Sequence, residues 1–144
     1  MLLDRDELFT TLPNSWLPLR ELQVRRYWEV QSEQLLEIHV CEFGHADSAY
    51  HFCIESVRNI RHPPKDDSWW QSFGHKFQFG SIRADEIRER HMQNSGNHWK
   101  ESREALEECG AIIEAVTLFD EWNVWWIIGR SEKAWIAIYW DTTA

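Results

Sequence analysis

The last part of the chain, residues 122–140, consists of two apolar runs separated by a polar break. The runs cover 122–128 and 134–140 and are rich in Val, Ile, Trp and Tyr, whereas positions 129–133 hold Gly, Arg, Ser, Glu and Lys. β-Branched and aromatic residues favour strands, and a polar break between two such runs is typical of a β-hairpin. We therefore predict a hairpin around which the rest of the fold is arranged.

Both faces of this predicted hairpin are apolar. If Ile128 pairs with Trp135, one face bears Val124, Trp126, Ile128, Trp135, Ala137 and Tyr139, and the other bears Trp125, Ile127, Ile136 and Ile138. Such strands are either central strands covered on both sides or an aromatic surface left open for a partner. Because adjacent strand residues point to opposite faces, Trp125 and Trp126 cannot both enter a one-sided core. At least one of them faces a second layer, a subunit or a ligand.

Two segments in the first half of the chain alternate apolar and polar residues. They are residues 21–30 and 35–43, with a polar turn at 31–34 between them. Alternation over this length predicts half-buried strands. In the second of them, we expect the inward-facing residues to be Leu36, Ile38 and Val40.

The segment 47–60 fits two patterns. Its apolar residues Tyr50, Phe52 and Ile54 alternate as in a strand. Other apolar residues of the segment also recur at helical spacing, and Ser48 or the residue before it could cap a helix. We predict a strand here and keep the helix as the alternative, because the period of a short apolar run does not separate the two.

Helices are predicted at the start and in the middle of the chain. Residues 4–11 fit a short helix with Asp4 as its cap. Residues 81–92 fit a longer one whose inner side includes Ile87 and His91. The helix at 81–92 is preceded by a proline-rich polar break at 62–67 and by an aromatic segment at 69–79 that we expect to be irregular.

A further helix is predicted from about residue 97, with Trp99, Leu106 and Cys109 buried at helical spacing and Gly110 at its end. Residues 111–119 then predict a strand, with continuation of the helix as the alternative. The chain therefore predicts a single α+β domain over residues 1–144, built from two antiparallel β-meanders of about six strands with two to three helices before and between them.

The overall charge limits the classes of partner. The chain has 24 acidic and 15 basic residues and a net charge of −9, which opposes binding to nucleic-acid phosphates and favours a basic protein partner. No run approaches the length of a membrane span, and the N-terminus lacks the basic and apolar regions of a signal peptide. Three irregularly placed cysteines do not form a disulfide framework. We expect a cytoplasmic protein that binds neither nucleic acid nor membranes.

One set of residues could bind a metal. If residues 47–60 form a strand, His39, Cys41, His51 and Cys53 project from one sheet face, and two imidazoles with two thiolates suit zinc. The spacing differs from that of structural zinc sites, and a flat sheet is a poor tetrahedral cage, so we favour a polar, half-covered face and assign no metal ligand and no cofactor. Glu37 and Glu55 on the same face are expected to be solvated, and a helix at 47–60 would disperse the set.

The residues most suited to contact a partner are exposed acids and tryptophans. An acidic face is expected over 107–121, with tryptophans as anchors, since Trp is enriched at interface hot spots. The predicted partner-binding residues are Trp69, Trp70, Glu107, Glu108, Asp120, Glu121, Trp122 and Trp125. No nucleophile or phosphate-binding motif is present, so no catalytic residue is assigned and an enzyme is not expected.

In its general profile, a small, acidic, aromatic-rich domain without a catalytic motif, the chain resembles bacterial immunity proteins. That likeness implies a protein that neutralises a basic toxin domain by binding it directly. Two alternatives stay open: a small domain that binds a metal or a small molecule, and a homodimeric structural protein that buries its tryptophans between subunits.

Overall fold

The structure is a computed structural model that describes residues 2–11, 19–60 and 67–143. The α-helices in these ranges are α1 (Arg5–Thr11), α2 (Ala49–Arg58), α3 (Asp67–Ser72), α4 (Ala84–Asn94) and α5 (Trp99–Glu107). The strands are β1 (Gln23–Glu29), β2 (Gln34–Glu42), β3 (Gly80–Ser81), β4 (Ile112–Asp120), β5 (Val124–Ser131) and β6 (Ala134–Thr142). One-turn 3₁₀ helices at Gly74–Lys76 and Gly96–His98 precede β3 and α5.

The six strands form one antiparallel sheet in the order β1-β2-β6-β5-β4-β3. The α+β class and the count of six strands agree with the prediction, although β3 takes the place of the strand expected within 47–60, and the described residues form five α-helices where two to three were expected. The expected meander of β4, β5 and β6 is present, and the β1–β2 hairpin joins it where β2 pairs with β6. The two predicted meanders are therefore parts of a single sheet.

The β5–β6 hairpin lies at the centre of the sheet, as predicted, but in another register. Ile128 pairs with Ala137 rather than with Trp135. Both strands extend further than expected, because Gly129 and Arg130 continue β5 instead of belonging to the turn. The register differs by two residues and side chains alternate with a period of two, so each side chain stays on its predicted face.

The strand predicted within 47–60 is wrong, and the helical alternative is correct. α2 begins after Ser48, whose hydroxyl oxygen accepts a hydrogen bond from the His51 backbone N–H at 3.3 Å. Residues 51–57 are all buried, since α2 packs between the sheet and other parts of the chain. Because nearly all positions of this short segment are buried, its apolar residues fit both the strand and the helix spacing, which is why its pattern did not distinguish the two.

Helices cover both faces of the sheet and so create two hydrophobic layers. On one face, α1, α2 and the aromatic segment at 69–79 pack with Trp126. On the other, Trp125 is buried with Ile87 of α4 and beside Leu106 of α5. Of the three alternatives kept for the adjacent tryptophans, a second layer, a subunit or a ligand, the structure shows the second layer.

Several local predictions are also confirmed. Asp4 caps α1, because its carboxylate accepts from the backbone N–H three residues later at 3.1 Å. α4 buries Ile87 and His91. Gly110 follows α5 with φ +79°, in the left-handed region that favours glycine, and the next residues form β4. The aromatic segment is less irregular than expected, since α3 covers its first residues.

Candidate functional site

The eight residues predicted to contact a partner lie in three separate parts of the fold. Trp69 and Trp70 belong to α3, Glu107 and Glu108 to the end of α5, and Asp120, Glu121, Trp122 and Trp125 to the β4–β5 turn and its flanks. Trp70 and Trp125 are only 4% and 0% exposed. Their indoles are core side chains rather than surface anchors, because Trp70 packs against Phe9 and Phe77 and the α4–α5 layer covers Trp125.

The two acidic pairs lie at opposite ends of β4. Glu107 and Glu108 precede the strand, whereas Asp120 ends it and Glu121 follows. Because an antiparallel strand rises about 3.4 Å per residue, the ends of β4 are about 27 Å apart. The single acidic face expected over 107–121 is therefore two smaller patches, because the extended strand β4 holds the two acidic pairs far apart.

The carboxylates at the end of α5 already have basic neighbours. Glu107 lies 3.5 Å from the Arg103 guanidinium, and Glu108 lies 3.7 Å from that of Arg25. All four side chains are well exposed, so the pairs contribute little to stability but locally reduce the negative charge. This patch is consequently a weaker attractor for a basic partner than its acidic sequence indicates.

The β4–β5 turn presents Trp122, which is 75% exposed and directly follows two carboxylates that neighbouring side chains hold, those of Asp120 and Glu121. Arg90 of α4 donates to Asp120 at 2.7 Å, and the Gln78 amide donates to Glu121 at 2.7 Å. The Gln78 side-chain oxygen also accepts from the Asp120 backbone N–H at 3.2 Å. The turn is thus tied to two other parts of the chain, while the Trp122 indole faces solvent.

The proposed zinc-binding arrangement of His39, Cys41, His51 and Cys53 is not present. Residues 51 and 53 lie in α2 and not in a strand, so the four side chains do not share one sheet face. Burial raises the pKa of both the Cys41 and the Cys53 thiol, which disfavours the thiolate that a metal requires. Over residues 2–11, 19–60 and 67–143, no group of three or more His, Cys, Asp or Glu side chains could hold a metal ion.

A buried polar network lies under α2 instead. The Ser56 hydroxyl is 2.7 Å from His39 Nδ1, and Glu37 Oε1 is 3.1 Å from both His39 Nε2 and Arg26 Nε. Arg26 also donates to a backbone carbonyl at the end of α2, at 2.6 Å. The expectation that Glu37 and Glu55 are solvated is wrong: they are 0% and 5% exposed, because α2 covers Glu37 on the sheet and Glu55 is itself a buried residue of α2.

In this network a serine, a histidine and a carboxylate are connected one after another by hydrogen bonds, but the arrangement does not suit hydrolysis. In hydrolytic triads the serine bonds Nε2 and the acid bonds Nδ1, whereas the ring nitrogens here have the opposite partners. Ser56, His39 and Glu37 are 0%, 1% and 0% exposed, so a substrate does not reach the hydroxyl. We interpret the network as a structural connection between β1, β2 and α2.

A groove that the sequence analysis does not predict lies between α4, α5 and the start of β4. We call it the α4–α5 groove, and its volume is about 540 Å³. Its apolar lining comprises Ile87, Met92, Trp99, Leu106 and Ile112, and its charged side chains are Arg88, Glu89, Arg103 and Glu107. His91 lies at its floor, and burial lowers the pKa of this histidine to about 4. Helical spacing indicates which of these residues point inward, but not the space left between the two helices.

None of the described helices combines the length and the apolar composition needed to cross a bilayer. Comparison with protein-family models, curated proteins and solved structures finds no match to this chain. Its function is therefore inferred from the residues and distances given above.

Proposed function

We propose that this protein acts by binding another protein, as an inhibitor of the immunity-protein type that neutralises a bacterial toxin by direct contact. The observation that carries this proposal is the β4–β5 turn, where Trp122 is 75% exposed on a backbone held by neighbouring side chains. The two patches at the ends of β4 have unequal roles in it: contact at the turn, and a weaker electrostatic contribution from the end of α5.

Tryptophan is the residue type most suited to anchor a protein interface. It offers a large apolar area with one N–H donor, and it is enriched among residues whose truncation weakens binding strongly. The hydrogen bonds of Gln78 and Arg90 restrain the turn before any partner arrives. A restrained anchor loses less conformational entropy on binding, which favours affinity.

The charge of the chain supports a basic partner. The net charge is −9, and Asp120 and Glu121 immediately precede the exposed Trp122. Complementary charge mainly accelerates association, whereas the apolar anchor slows dissociation. We therefore assign steering to the acidic surface and affinity to Trp122.

We further infer a cytoplasmic location, where such an inhibitor would meet a toxin inside the cell. All three cysteines are free and buried. Reduced thiols are the usual state in the cytosol, where disulfides seldom persist. The same acidic surface that suits a basic protein disfavours nucleic acid.

The test is native mass spectrometry of the protein isolated gently from its own cells, together with a Trp122→Ala variant expressed in the same way. We expect the unmodified protein to carry a second, basic polypeptide. That polypeptide, expressed alone, should arrest growth, and the inhibitor should restore growth. Trp122→Ala should weaken binding about 30-fold or more, which corresponds to about 2 kcal/mol at an interface hot spot.

Trp28→Ala is the matched control, because Trp28 is also an exposed tryptophan, at 40%, but lies on β1 at the far edge of the sheet. It should leave the complex intact. A purified polypeptide that binds Trp122→Ala as tightly as the unmodified protein would remove the turn from the interface. A bare homodimer, with no second polypeptide, would support the structural-protein alternative instead.

A further inference from the structure

We propose that the α4–α5 groove is a binding site for a small, neutral aromatic molecule bearing one hydrogen-bond donor, and that His91 accepts this hydrogen bond. The proposal is independent of the β4–β5 turn, because the groove and Trp122 are formed by different residues. It rests on the shape of the groove, on the proton position at His91 and on the balance of charge around it.

The groove has the size and the lining of a small-molecule site. Its volume of about 540 Å³ lies within the range of ligand pockets, which are mostly apolar with a few oriented polar groups. Met92 of α4, Trp99 and Leu106 of α5 and Ile112 of β4 provide the apolar lining. Met92 is 54% exposed, so the groove opens to solvent at that side chain.

The hydrogen bonds of Ser102 determine which nitrogen of His91 bears the proton. Ser102 Oγ lies 2.6 Å from the His98 carbonyl oxygen and 2.7 Å from His91 Nε2. Two oxygens at 2.6 Å require a proton between them, and a hydroxyl has only one, so it goes to the carbonyl. The Ser102 oxygen must then accept its other bond from His91 Nε2–H. His91 Nδ1 is consequently an unprotonated acceptor.

No described residue donates to that acceptor. The only hydrogen bond of the His91 side chain to the described part of the chain is the one to Ser102. His91 is 2% exposed, and its ring lines the groove. Because the ring lines the groove, a bound molecule that supplies an O–H or N–H can form a hydrogen bond to this acceptor in place of water.

The charged groups around the groove select against a charged ligand. Arg88 and Glu89 face it from α4, and Arg103 and Glu107 face it from α5, so their formal charges cancel. Burial keeps His91 neutral near pH 7 by lowering its pKa to about 4. A neutral phenol or indole fits this environment, because its ring suits the apolar walls and its single donor suits Nδ1.

The test compares p-cresol with toluene, which has the same ring and methyl group but no donor. Binding is followed through the ¹⁵N chemical shifts of the His91 imidazole. We expect p-cresol to bind at least about 10-fold more tightly than toluene and to shift Nδ1. Equal affinities for the two compounds, or binding of neither, would overturn the proposal.

Two variants make the result specific to the groove. His91→Phe should reduce the preference for p-cresol to near unity, because the acceptor is lost while the apolar walls remain. Met92→Arg should abolish binding of both compounds, and its exposed position makes it compatible with folding. Trp122→Ala should bind p-cresol normally, so failure of the proposed toxin interface and failure of this site are distinguishable. A preference for p-cresol that survives His91→Phe would refute the role of His91.

Discussion

Each face of the sheet buries one histidine that is hydrogen-bonded to a serine at 2.7 Å. Under α2, His39 of β2 meets Ser56 of the helix. On the opposite face, His91 of α4 meets Ser102 of α5. All four side chains are at most 2% exposed. The two pairs have the same chemistry and nearly the same burial, but they differ at the second ring nitrogen.

In the first pair, the second nitrogen is occupied. His39 Nε2 lies 3.1 Å from Glu37, which is in turn paired with Arg26 at 3.1 Å. In the second pair, the described residues leave His91 Nδ1 without a donor, and the ring lines an open groove. A buried imidazole with both nitrogens bonded connects secondary-structure elements, whereas one with a spare acceptor beside a groove is available to a ligand.

The largest effect on stability should come from removing the Glu37 carboxylate from the buried network under α2. Glu37→Ala leaves His39 Nε2 without its partner, removes the ion pair of Arg26 and opens a cavity, so we expect the free energy of unfolding to fall by about 4 kcal/mol. Urea unfolding followed by circular dichroism measures it. Glu107→Ala, at an exposed carboxylate, is the control and should change stability by less than about 0.5 kcal/mol. Equal losses in the two variants would show that the network is not structural.

The second effect is a pH dependence of the free energy of unfolding that arises from His91, in the pair with Ser102. Burial lowers the pKa of folded His91 to about 4 from an ordinary value of 6.5. Between these pH values His91 is more protonated in the unfolded chain than in the folded chain, so its contribution to the free energy of unfolding must decrease as the pH falls. The loss through His91 should reach about 3 kcal/mol by pH 4. The measurement is the difference in unfolding free energy between the unmodified protein and His91→Leu from pH 7 to pH 4. A constant difference across that range would contradict the assignment.

The smallest effect compares the two serines directly. Ser56→Ala should destabilise the protein by about 2 kcal/mol, because His39 is enclosed and cannot find a replacement partner. Ser102→Ala should cost about 1 kcal/mol, because water in the α4–α5 groove can hydrate the imidazole that it releases. Parallel urea unfolding of both variants tests the order, and a larger loss for Ser102→Ala would reverse the interpretation.

The two histidine–serine pairs also differ in how well the sequence predicted their surroundings. The helical period identified Ile87 and His91 as inward-facing residues of α4, and alternation identified the strands on either side of the β1–β2 turn. These features depend on neighbours within one or two turns of the chain. Glu37 was expected in solvent because its pattern on β2 is that of an exposed position. Only the packing of α2 against β2 makes it a buried residue.

The candidate surface was predicted less well than the fold. Trp122, predicted as an anchor at the start of an apolar run, is 75% exposed, whereas Trp70 and Trp125 are core residues. Glu107 and Glu121 are near each other in sequence and far apart in the protein, because β4 is fully extended between them. A binding surface is formed by residues from several helices and strands. The amino-acid composition therefore indicates which residue types such a surface contains, but not where on the protein it forms.

Local side-chain pattern was sufficient to predict an α+β chain with an aromatic hairpin that is apolar on both faces, and the packing of helices on each face decided that it is covered. It could do so because periods of 2 and 3.6 residues report directly on burial of one face. The helical state of residues 49–58, the two-residue difference in register, the enclosed Glu37–His39–Ser56 network and the α4–α5 groove all came from contacts between distant segments. Such contacts depend on how whole elements pack, and packing leaves no periodic trace in the sequence.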